Sequence, residues 1–249
     1  MTDVGLIVGS GRGWLELDVA GARAVDTPYG PPSAPIATAV FGQHAVPCLA
    51  RHGEPHAIAP HEVNYRANVR ALYDLGVRRV IAVNVVGAIA ADFAPGELAV
   101  PEQLIDYTWG RACTFGAPGG GVLHVEFGEP FDAALRASLA AAIEACGLRA
   151  HGGVYGVTQG PRLETAAEID RLERDGCTMV GMTAMPEAVL ARELGMAYAV
   201  CALAVNHAAG RGPRDEGILA AMERHLAAGM GRVRRVLDRV VPALCGGAS

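Results

Sequence analysis

The sequence contains no lysine, so all 21 of its basic residues are arginine. A Walker-type phosphate-binding loop needs a lysine after its glycines, and Schiff-base catalysis needs a lysine amine. Both chemistries are therefore excluded. An arginine-only chain rich in alanine and glycine is also what GC-rich coding produces, and we take this as the ordinary cause of the absence.

Other absences narrow the class of protein. No stretch approaches ~18 uninterrupted apolar residues, and no basic segment with a cleavage site opens the chain, so neither a membrane span nor a signal peptide is expected. The formal net charge is -5 without a basic block or stripe, which disfavours nucleic acid and membrane partners. The six cysteines are widely spaced and form no C-x-x-C pair. We therefore expect reduced thiols in a cytoplasmic protein.

Two catalytic signatures are also missing. G-x-S-x-G does not occur, so a nucleophile-elbow hydrolase is not supported. After His61-Glu62, Tyr65 stands where a zinc helix needs its second histidine, so we expect no metal. The scattered His44, His151 and His225 are predicted to be surface or packing residues.

The composition favours a single large core. The 249 residues are 51% hydrophobic, and the mean hydropathy is +0.25, which argues against disorder. Short apolar runs alternate with helical segments, as in an α/β sheet. Without an internal repeat or a long linker, residues 1–249 are predicted to form one domain.

The periodicity predicts the following elements. Strands are expected at residues 6–8, 36–41, 45–50, 80–86, 98–105, 154–157, 178–182 and 198–205, and helices at 61–75, 131–146, 165–174, 186–194 and 218–244. The glycine-rich residues 110–121 are predicted to be a surface loop. Gly229 and Gly231 are expected to interrupt or weaken the last helix.

A glycine-rich turn, Gly9-Ser10-Gly11, follows the first predicted strand. Trp14 occupies the third glycine position of a dinucleotide-binding fingerprint and would obstruct close helix–strand packing there. The turn can instead bind a free phosphate through backbone N–H groups and the Ser10 hydroxyl. A simple glycine turn without a ligand stays open as the alternative.

An Arg51-His52 pair ends another predicted strand, where ligands gather in open α/β sheets. A guanidinium suits bidentate binding of phosphate, and the neighbouring imidazole can add a donor. Taken alone, such a pair is more often part of a solvated loop.

The order of several longer segments changes these interpretations. They are Arg51-His52-Gly53, Val63-Asn64-Tyr65-Arg66-Ala67-Asn68, Gly160-Pro161-Arg162, Met182-Thr183 and Met185-Pro186-Glu187. In this order the chain resembles the trimeric purine nucleoside phosphorylase and methylthioadenosine phosphorylase family, over essentially its whole length. The closest pattern is that of the branch acting on methylthioinosine or other 6-oxopurine nucleosides.

The resemblance implies a mixed, partly barrel-like β-sheet flanked by helices, a homotrimer, and phosphorolysis of a purine nucleoside in purine salvage. Inorganic phosphate would be a co-substrate, and no cofactor is needed. The implied phosphate site comprises Ser10, Arg51, His52, the Asn84-Val85 backbone and Thr183. Around the nucleoside, Met182 would lie under the sugar and His56 near the 5′ substituent. Leu163 stands where many relatives have a phenylalanine stacked on the base. His124 would be contributed to the site by a neighbouring subunit.

The positions where this chain departs from the methylthioadenosine phosphorylase pattern indicate which purine base it accepts. Methylthioadenosine phosphorylases have two aspartates spaced by one residue where this chain has Asn206-His207-Ala208, and a small hydroxyl residue in place of Glu164. A carboxylate accepts a hydrogen bond from N1–H of a 6-oxopurine, and an asparagine amide can donate to O6. Adenine presents the reverse pattern. Asn206 and Glu164, together with His52 of the phosphate site that the resemblance implies, are the predicted catalytic residues.

The 5′ preference stays open. His56 could bind a 5′-hydroxyl, whereas Ile218 and Met222, one helical turn apart, could line an apolar pocket for a methylthio group or simply pack in the core. The alternatives to a 6-oxopurine nucleoside phosphorylase are a methylthioadenosine phosphorylase, a nucleoside hydrolase on the same fold, and a non-catalytic purine-binding protein.

Overall fold

The computed structural model describes residues 2–117, 119–213 and 217–246, without the side chain of Trp14. The strands are β1 (Val4–Val8), β2 (Asp18–Arg23), β3 (Ile36–Phe41), β4 (His44–Ala50), β5 (Arg79–Ala88), β6 (Leu98–Ala99), β7 (Gln103–Asp106), β8 (Ala150–His151), β9 (Val154–Val157), β10 (Met179–Gly181) and β11 (Ala197–His207). The helices are α1 (Tyr65–Asp74), α2 (Ala133–Ala145), α3 (Ala166–Arg174), α4 (Ala184–Glu193) and α5 (Ile218–Gly246).

All the described strands belong to one mixed sheet that branches at β5. β5 pairs in parallel with β1 and with β11, and antiparallel with β10. On one side of this branch, β4, β3 and β2 continue the sheet beyond β1, and on another side β9 and β7 continue it beyond β10. The predicted α/β class, a mixed sheet flanked by helices, is confirmed.

The central strands are buried on both faces, so they read as continuous apolar runs and not as alternating ones. One face of β11 carries Tyr198 and Val200, which pack in a core with α1 and α4. The other face carries Cys201 and Leu203, which pack in a second core with α2 and α5. Helices on both faces therefore hold β5 and β11 rigidly in the middle of the molecule.

The branch leaves an unpaired stretch beside β5. Pairing with β1 ends at Val8 opposite Val83, and pairing with β10 covers only Gly87 and Ala88. Between them, residues 84–86 have no strand partner on this edge among the described residues. The turn after β1 and the segment after β10 converge on this stretch, which is where an open α/β sheet places its ligands.

The predicted strand at 98–105 is wrong in one respect, because it is two strands. Pro101 has no N–H to donate, and the chain changes partners around it. The Val100 amide donates to the His151 carbonyl at 2.8 Å, whereas the Glu102 amide donates to the Gly153 carbonyl at 3.1 Å. β6 therefore pairs with β11 and β8, and β7 pairs with β9.

Helix α5 runs across Gly229 and Gly231, so the predicted interruption does not occur. A Cβ at Gly229 would lie 2.6 Å from the methyl carbons of Leu203. The glycine therefore lets the helix approach β11 closely. Strand β2 was not predicted, because all of its residues are exposed and no apolar alternation marks it.

Candidate active site

A cavity of about 430 Å³ opens beside the unpaired stretch of β5. Thirteen of the predicted site residues line it: Ser10, Arg51, His52, His56, Val85, Leu163, Glu164, Met182, Thr183, Asn206, Ala208, Ile218 and Met222. They come from positions far apart in the sequence, and the branched sheet brings them together. Asn84, His207 and His124 do not belong to the lining.

One end of the cavity is built around a buried ion pair that the sequence did not predict. Arg51 is 1% exposed and Glu187 is 0% exposed. The Arg51 Nε donates to one carboxylate oxygen of Glu187, and Nη2 donates to the other at 2.9 Å. The Tyr198 hydroxyl also donates to Glu187, at 2.9 Å. Because Glu187 accepts the bidentate fork of Arg51, the predicted bidentate contact from Arg51 to phosphate is not available in this arrangement.

Asn84 extends this network beneath the cavity floor. Its Oδ1 accepts from Arg51 Nη2 at 2.9 Å, and its Nδ2 lies 3.3 Å from the Thr183 hydroxyl oxygen. Asn84 is 2% exposed and Thr183 7%. Asn84 therefore positions Arg51 and Thr183, while the neighbouring Val85 faces the cavity. Among the described residues, the Arg51 Nη1 makes only a long 3.5 Å hydrogen bond to the Val83 carbonyl, so this nitrogen has spare donor capacity.

His52 is buried with its ring fixed by the backbone. Its Nδ1 lies 2.8 Å from the Ile58 carbonyl oxygen, which can only accept, so Nδ1 carries the proton. Burial, and secondly the charge of Arg51, lower the pKa of His52 to about 4. The ring is therefore neutral at physiological pH, and its Nε2 is an acceptor. The predicted contact of His52 with phosphate stays a prediction; in this arrangement the ring offers it an acceptor, Nε2, because Nδ1 is engaged with Ile58.

His56 lies against the same end of the cavity. Its Nε2 is 3.1 Å from the Ser10 hydroxyl oxygen, and its ring centroid is 4.6 Å from that of His52. In this arrangement the Ser10 turn, His52 and His56 form one polar cluster. His56 is thus engaged with a predicted phosphate residue.

The opposite end of the cavity carries the two side chains predicted to select the base. The Glu164 Oε1 accepts from the Thr158 hydroxyl at 2.6 Å, which leaves its other oxygen available. The Asn206 Nδ2 donates to the His207 carbonyl at 2.7 Å, so its second amide proton and its Oδ1 remain. Thr158 was not singled out from the sequence.

A β-bulge sets the direction of Asn206. Ala204 pairs with Val86, but Asn206 pairs with the very next residue, Gly87, so Val205 is extra on its strand. As a result, the consecutive residues Val205 and Asn206 both line the cavity. His207, which follows, does not reach it.

The rim near α5 is apolar. Ile218, Leu219 and Met222 from the first turns of this helix line the cavity, and Leu219 is 69% exposed. Met182 and Leu163 add apolar surface from two loops. His124 is exposed on an irregular segment outside the cavity. The described parts of the predicted loop, residues 110–117 and 119–121, contain no helix or strand. Arg111 nevertheless ties this loop to the carbonyl of the cavity-lining Met182.

This arrangement can bind an anion at one end and a flat polar heterocycle at the other. The anion end offers the spare Nη1 donor of Arg51 and the hydroxyls of Ser10 and Thr183. The heterocycle end offers a carboxylate and an amide. In the described part of the chain, no group of three or more His, Cys, Asp or Glu residues could hold a metal ion. Likewise, no described helix is long and apolar enough to cross a membrane.

Comparison with known proteins agrees with this geometry. The chain superposes on the structure of methylthioadenosine phosphorylase from Schistosoma mansoni in complex with adenine with a TM-score of 0.92, at 34% identity and covering 100% of this chain and 93% of that one. It is 53% identical over 203 residues, 81% of each chain, to a protein of Xanthomonas campestris described as a probable S-methyl-5′-thioinosine phosphorylase. A Pseudomonas syringae protein with the same description is 48% identical over 246 residues, 98% of this chain and 100% of that one.

The fold and the site thus define an enzyme of the nucleoside phosphorylase class, a pentosyltransferase. More particularly, the Phosphorylase superfamily matches residues 3–242, and the chain belongs to it.

Proposed function

We propose that this phosphorylase cleaves 6-oxopurine nucleosides and prefers a 5′-methylthio group, as in S-methyl-5′-thioinosine. Its products would be the free purine and a pentose 1-phosphate. One observation carries the proposal: Glu164 and Asn206 line the same cavity as Ser10, Arg51 and Thr183. The descriptions of two relatives, 53% identical over 81% of this chain and 48% identical over 98% of it, point in the same direction.

The base preference follows from the hydrogen-bonding atoms of Glu164 and Asn206 that are not used within the protein. The free oxygen of Glu164 can accept from N1–H of a 6-oxopurine, and the second amide proton of Asn206 can go to O6. Adenine would set its N1 acceptor against the carboxylate and its amino group against a donor. Each such mismatch in a desolvated site costs about 1–3 kcal/mol.

The reaction requires charge stabilisation at both ends of the breaking bond. As the glycosidic bond lengthens, the sugar becomes oxocarbenium-like, and a phosphate held by Ser10, Arg51 and Thr183 would stabilise it and then capture it. The neutral His52 would accept a hydrogen bond from a protonated phosphate oxygen through Nε2. The departing purine would take up a proton at N7 from solvent, balanced by the proton that the phosphate releases on forming the sugar ester. Asn206 Oδ1 would then accept a hydrogen bond from N7–H.

The 5′ preference rests on the apolar rim. Ile218 and Met222 offer carbon and sulfur surface, while the His56 Nε2 is already engaged with Ser10. A methylthio group buried there gains the usual apolar transfer free energy, about 0.8 kcal/mol per methylene-sized group. A 5′-hydroxyl would lose water without gaining a partner of its own. Inosine and guanosine are therefore proposed to be slower substrates.

A phosphate requirement separates this proposal from hydrolysis on the same fold. Methylthioinosine is incubated with the enzyme in phosphate-free buffer and with added phosphate, and the sugar product is identified. We expect release of hypoxanthine to require phosphate and to yield the sugar 1-phosphate. Equal turnover without phosphate, yielding free methylthioribose, would support a hydrolase and overturn the phosphorylase proposal.

We also propose a cytoplasmic homotrimer in which His124 completes the site of a neighbouring subunit. The support is that His124 is exposed and outside the cavity of its own chain. Activity per chain should then fall when dilution dissociates the assembly, as followed by mass photometry alongside the assay. A fully active monomer would contradict this assembly.

A further inference from the structure

The guanidinium of Arg111 donates hydrogen bonds to several backbone carbonyls of segments that lead to the cavity. Its Nη1 donates to the carbonyls of Met182 and Met185, both at 2.7 Å. Its Nη2 donates to the Gln159 carbonyl at 2.8 Å and approaches the Thr158 carbonyl at 3.4 Å. Its Nε donates to the Gln159 side chain at 3.2 Å. The guanidinium therefore joins residues 158–159 to residues 182–185.

These two segments carry the opposite ends of the proposed substrate site. They leave the sheet side by side, because β9 pairs with β10 up to Val157 opposite Gly181. The first segment leads to Leu163 and Glu164 at the base end, and the second contains Met182 and Thr183. Beyond the paired strands, these contacts of Arg111 tie one segment to the other.

A third connection runs through Tyr65. Its hydroxyl lies 3.3 Å from Arg111 Nη1 and donates to the Pro60 carbonyl at 2.7 Å. Pro60 lines the cavity, next to the segment whose Ile58 carbonyl holds His52. Burial raises the pKa of Tyr65 above its ordinary value, so the phenol keeps its proton. Arg111 thus contacts elements from three sides of the cavity.

Only an arginine can make these contacts. A guanidinium has five N–H donors in a rigid planar fork, whereas a lysine ammonium has three on one nitrogen. Lysine at this position would keep the charge but could not reach both segments with the same geometry. Any backbone carbonyl that loses its donor would turn to water or shift its loop.

We infer that Arg111 is a positioning residue that fixes the distance between the base-binding end and the phosphate-binding end of the cavity. It does not line the cavity itself, and it acts through the residues that it contacts, such as Met182. The inference rests on the proposed function, in which one nucleoside must contact both ends at once. In such a reaction a displacement of about 1 Å can cost about 100-fold in rate.

The test compares Arg111→Lys with a matched control, Arg78→Lys. Arg78 also donates to two backbone carbonyls, those of Tyr73 at 3.0 Å and Val77 at 2.8 Å, but lies outside the cavity lining. We expect Arg111→Lys to lower kcat/KM for methylthioinosine by about 100-fold and to narrow the preference over methylthioadenosine. Arg78→Lys should stay within about twofold of the unmodified enzyme, as surface changes usually do.

Two further measurements separate positioning from a general loss of structure. Gln159→Leu removes the side-chain acceptor of Arg111 Nε, which also accepts from the Trp109 N–H at 3.2 Å, but leaves the backbone carbonyls bound by Nη1 and Nη2. It should lower kcat/KM in the same direction, by about 10-fold, without lowering the unfolding midpoint as far as Arg111→Lys does. In Arg111→Lys, the rate of amide hydrogen exchange on the free enzyme should rise at residues 158–164 and 182–185. In Arg78→Lys, the exchange rates of these two segments should stay as in the unmodified enzyme.

The exchange experiment needs no substrate, so it distinguishes this inference from the proposed function. If the unmodified enzyme does not cleave 6-oxopurine nucleosides, the proposed function is wrong, whatever the exchange rates of the Arg111→Lys variant show. If exchange in both segments is unchanged, or if Arg111→Lys keeps kcat/KM and the base preference of the unmodified enzyme, Arg111 is not a positioning residue.

Discussion

The two ends of the cavity are built in different ways. At the phosphate end, four residues are all less than 8% exposed and hydrogen-bonded to one another: Arg51, Asn84, Thr183 and Glu187. Arg51 follows β4, Asn84 lies within β5, and Thr183 and Glu187 lie at the start of α4. At the base and 5′ end, the half-buried Glu164 lies on a loop, and the helix rim includes the exposed Leu219. Asn206 lies on β11 and is as buried as Thr183, at 7% exposed, so the difference concerns Glu164 and the rim. The anion site is thus fixed by the whole fold, whereas Glu164 and the rim residues can change with less effect on the core.

Glu187→Gln tests the phosphate end with the largest expected effect. The variant leaves the Arg51 charge buried without its anionic partner, so the free energy of unfolding should fall by about 3–5 kcal/mol. Urea unfolding measures this, with Asp74→Asn as the control. Asp74 pairs with Arg70 at 2.8 Å on the surface, and its loss should cost less than about 1 kcal/mol. Similar costs for both variants would show that the buried pair does not stabilise the anion site.

Acid sensitivity is the second prediction for the same end. The folded pKa of His52, about 4, lies below its ordinary value of 6.5, so the unfolded chain binds more protons between these values. The contribution of neutral His52 to the unfolding free energy should therefore be fully present above pH 6.5. It should be lost as the pH falls towards 4, which lowers the unfolding free energy by up to about 3 kcal/mol.

His52→Gln should flatten the pH dependence of the unfolding free energy in this window. His61→Gln, at an exposed position outside the cavity lining, is the control and should leave the dependence unchanged. A His52→Gln profile as steep as that of the unmodified enzyme would show that the ring is not buried in its neutral form.

At the base end, Asn206→Asp combined with Glu164→Ser should shift the preference towards 6-aminopurines. A protonated carboxylic acid can donate to N7 while its other oxygen accepts from the amino group, and the serine no longer opposes adenine N1. We expect the ratio of kcat/KM values to shift by about 100-fold, equivalent to ~2.7 kcal/mol. The double variant should exceed either single variant, and phosphate KM should change little. An unchanged ratio would show that these residues do not select the base.

Met222→Gln tests the apolar rim with the smallest expected effect. A polar amide in place of the thioether should lower the preference for methylthioinosine over inosine by about 10-fold, since one methyl-sized contact is worth about 1–3 kcal/mol. Glu223→Gln, exposed on the next position of the same helix, is the control. If both variants keep the preference, the methylthio group does not lie against Met222.

The sequence predicted the parts of the site that follow strand ends. Ser10, Arg51 and Asn206 lie where buried runs stop, and the edge of a sheet brings such positions together. It did not predict the partner of Arg51, because Glu187 is 136 residues away and only the fold joins them. Arg111 was missed for a similar reason: its loop has no periodicity, and its acceptors are backbone carbonyls that no residue type reveals.

The central claim is that Glu164 and Asn206 make this phosphorylase selective for 6-oxopurines. The most direct measurement is kcat/KM of the unmodified enzyme for methylthioinosine and for methylthioadenosine, in the same buffer at saturating phosphate. Two mismatched groups in a desolvated site predict a ratio of at least about 100 in favour of methylthioinosine. Equal phosphorolysis of the two nucleosides would contradict the account.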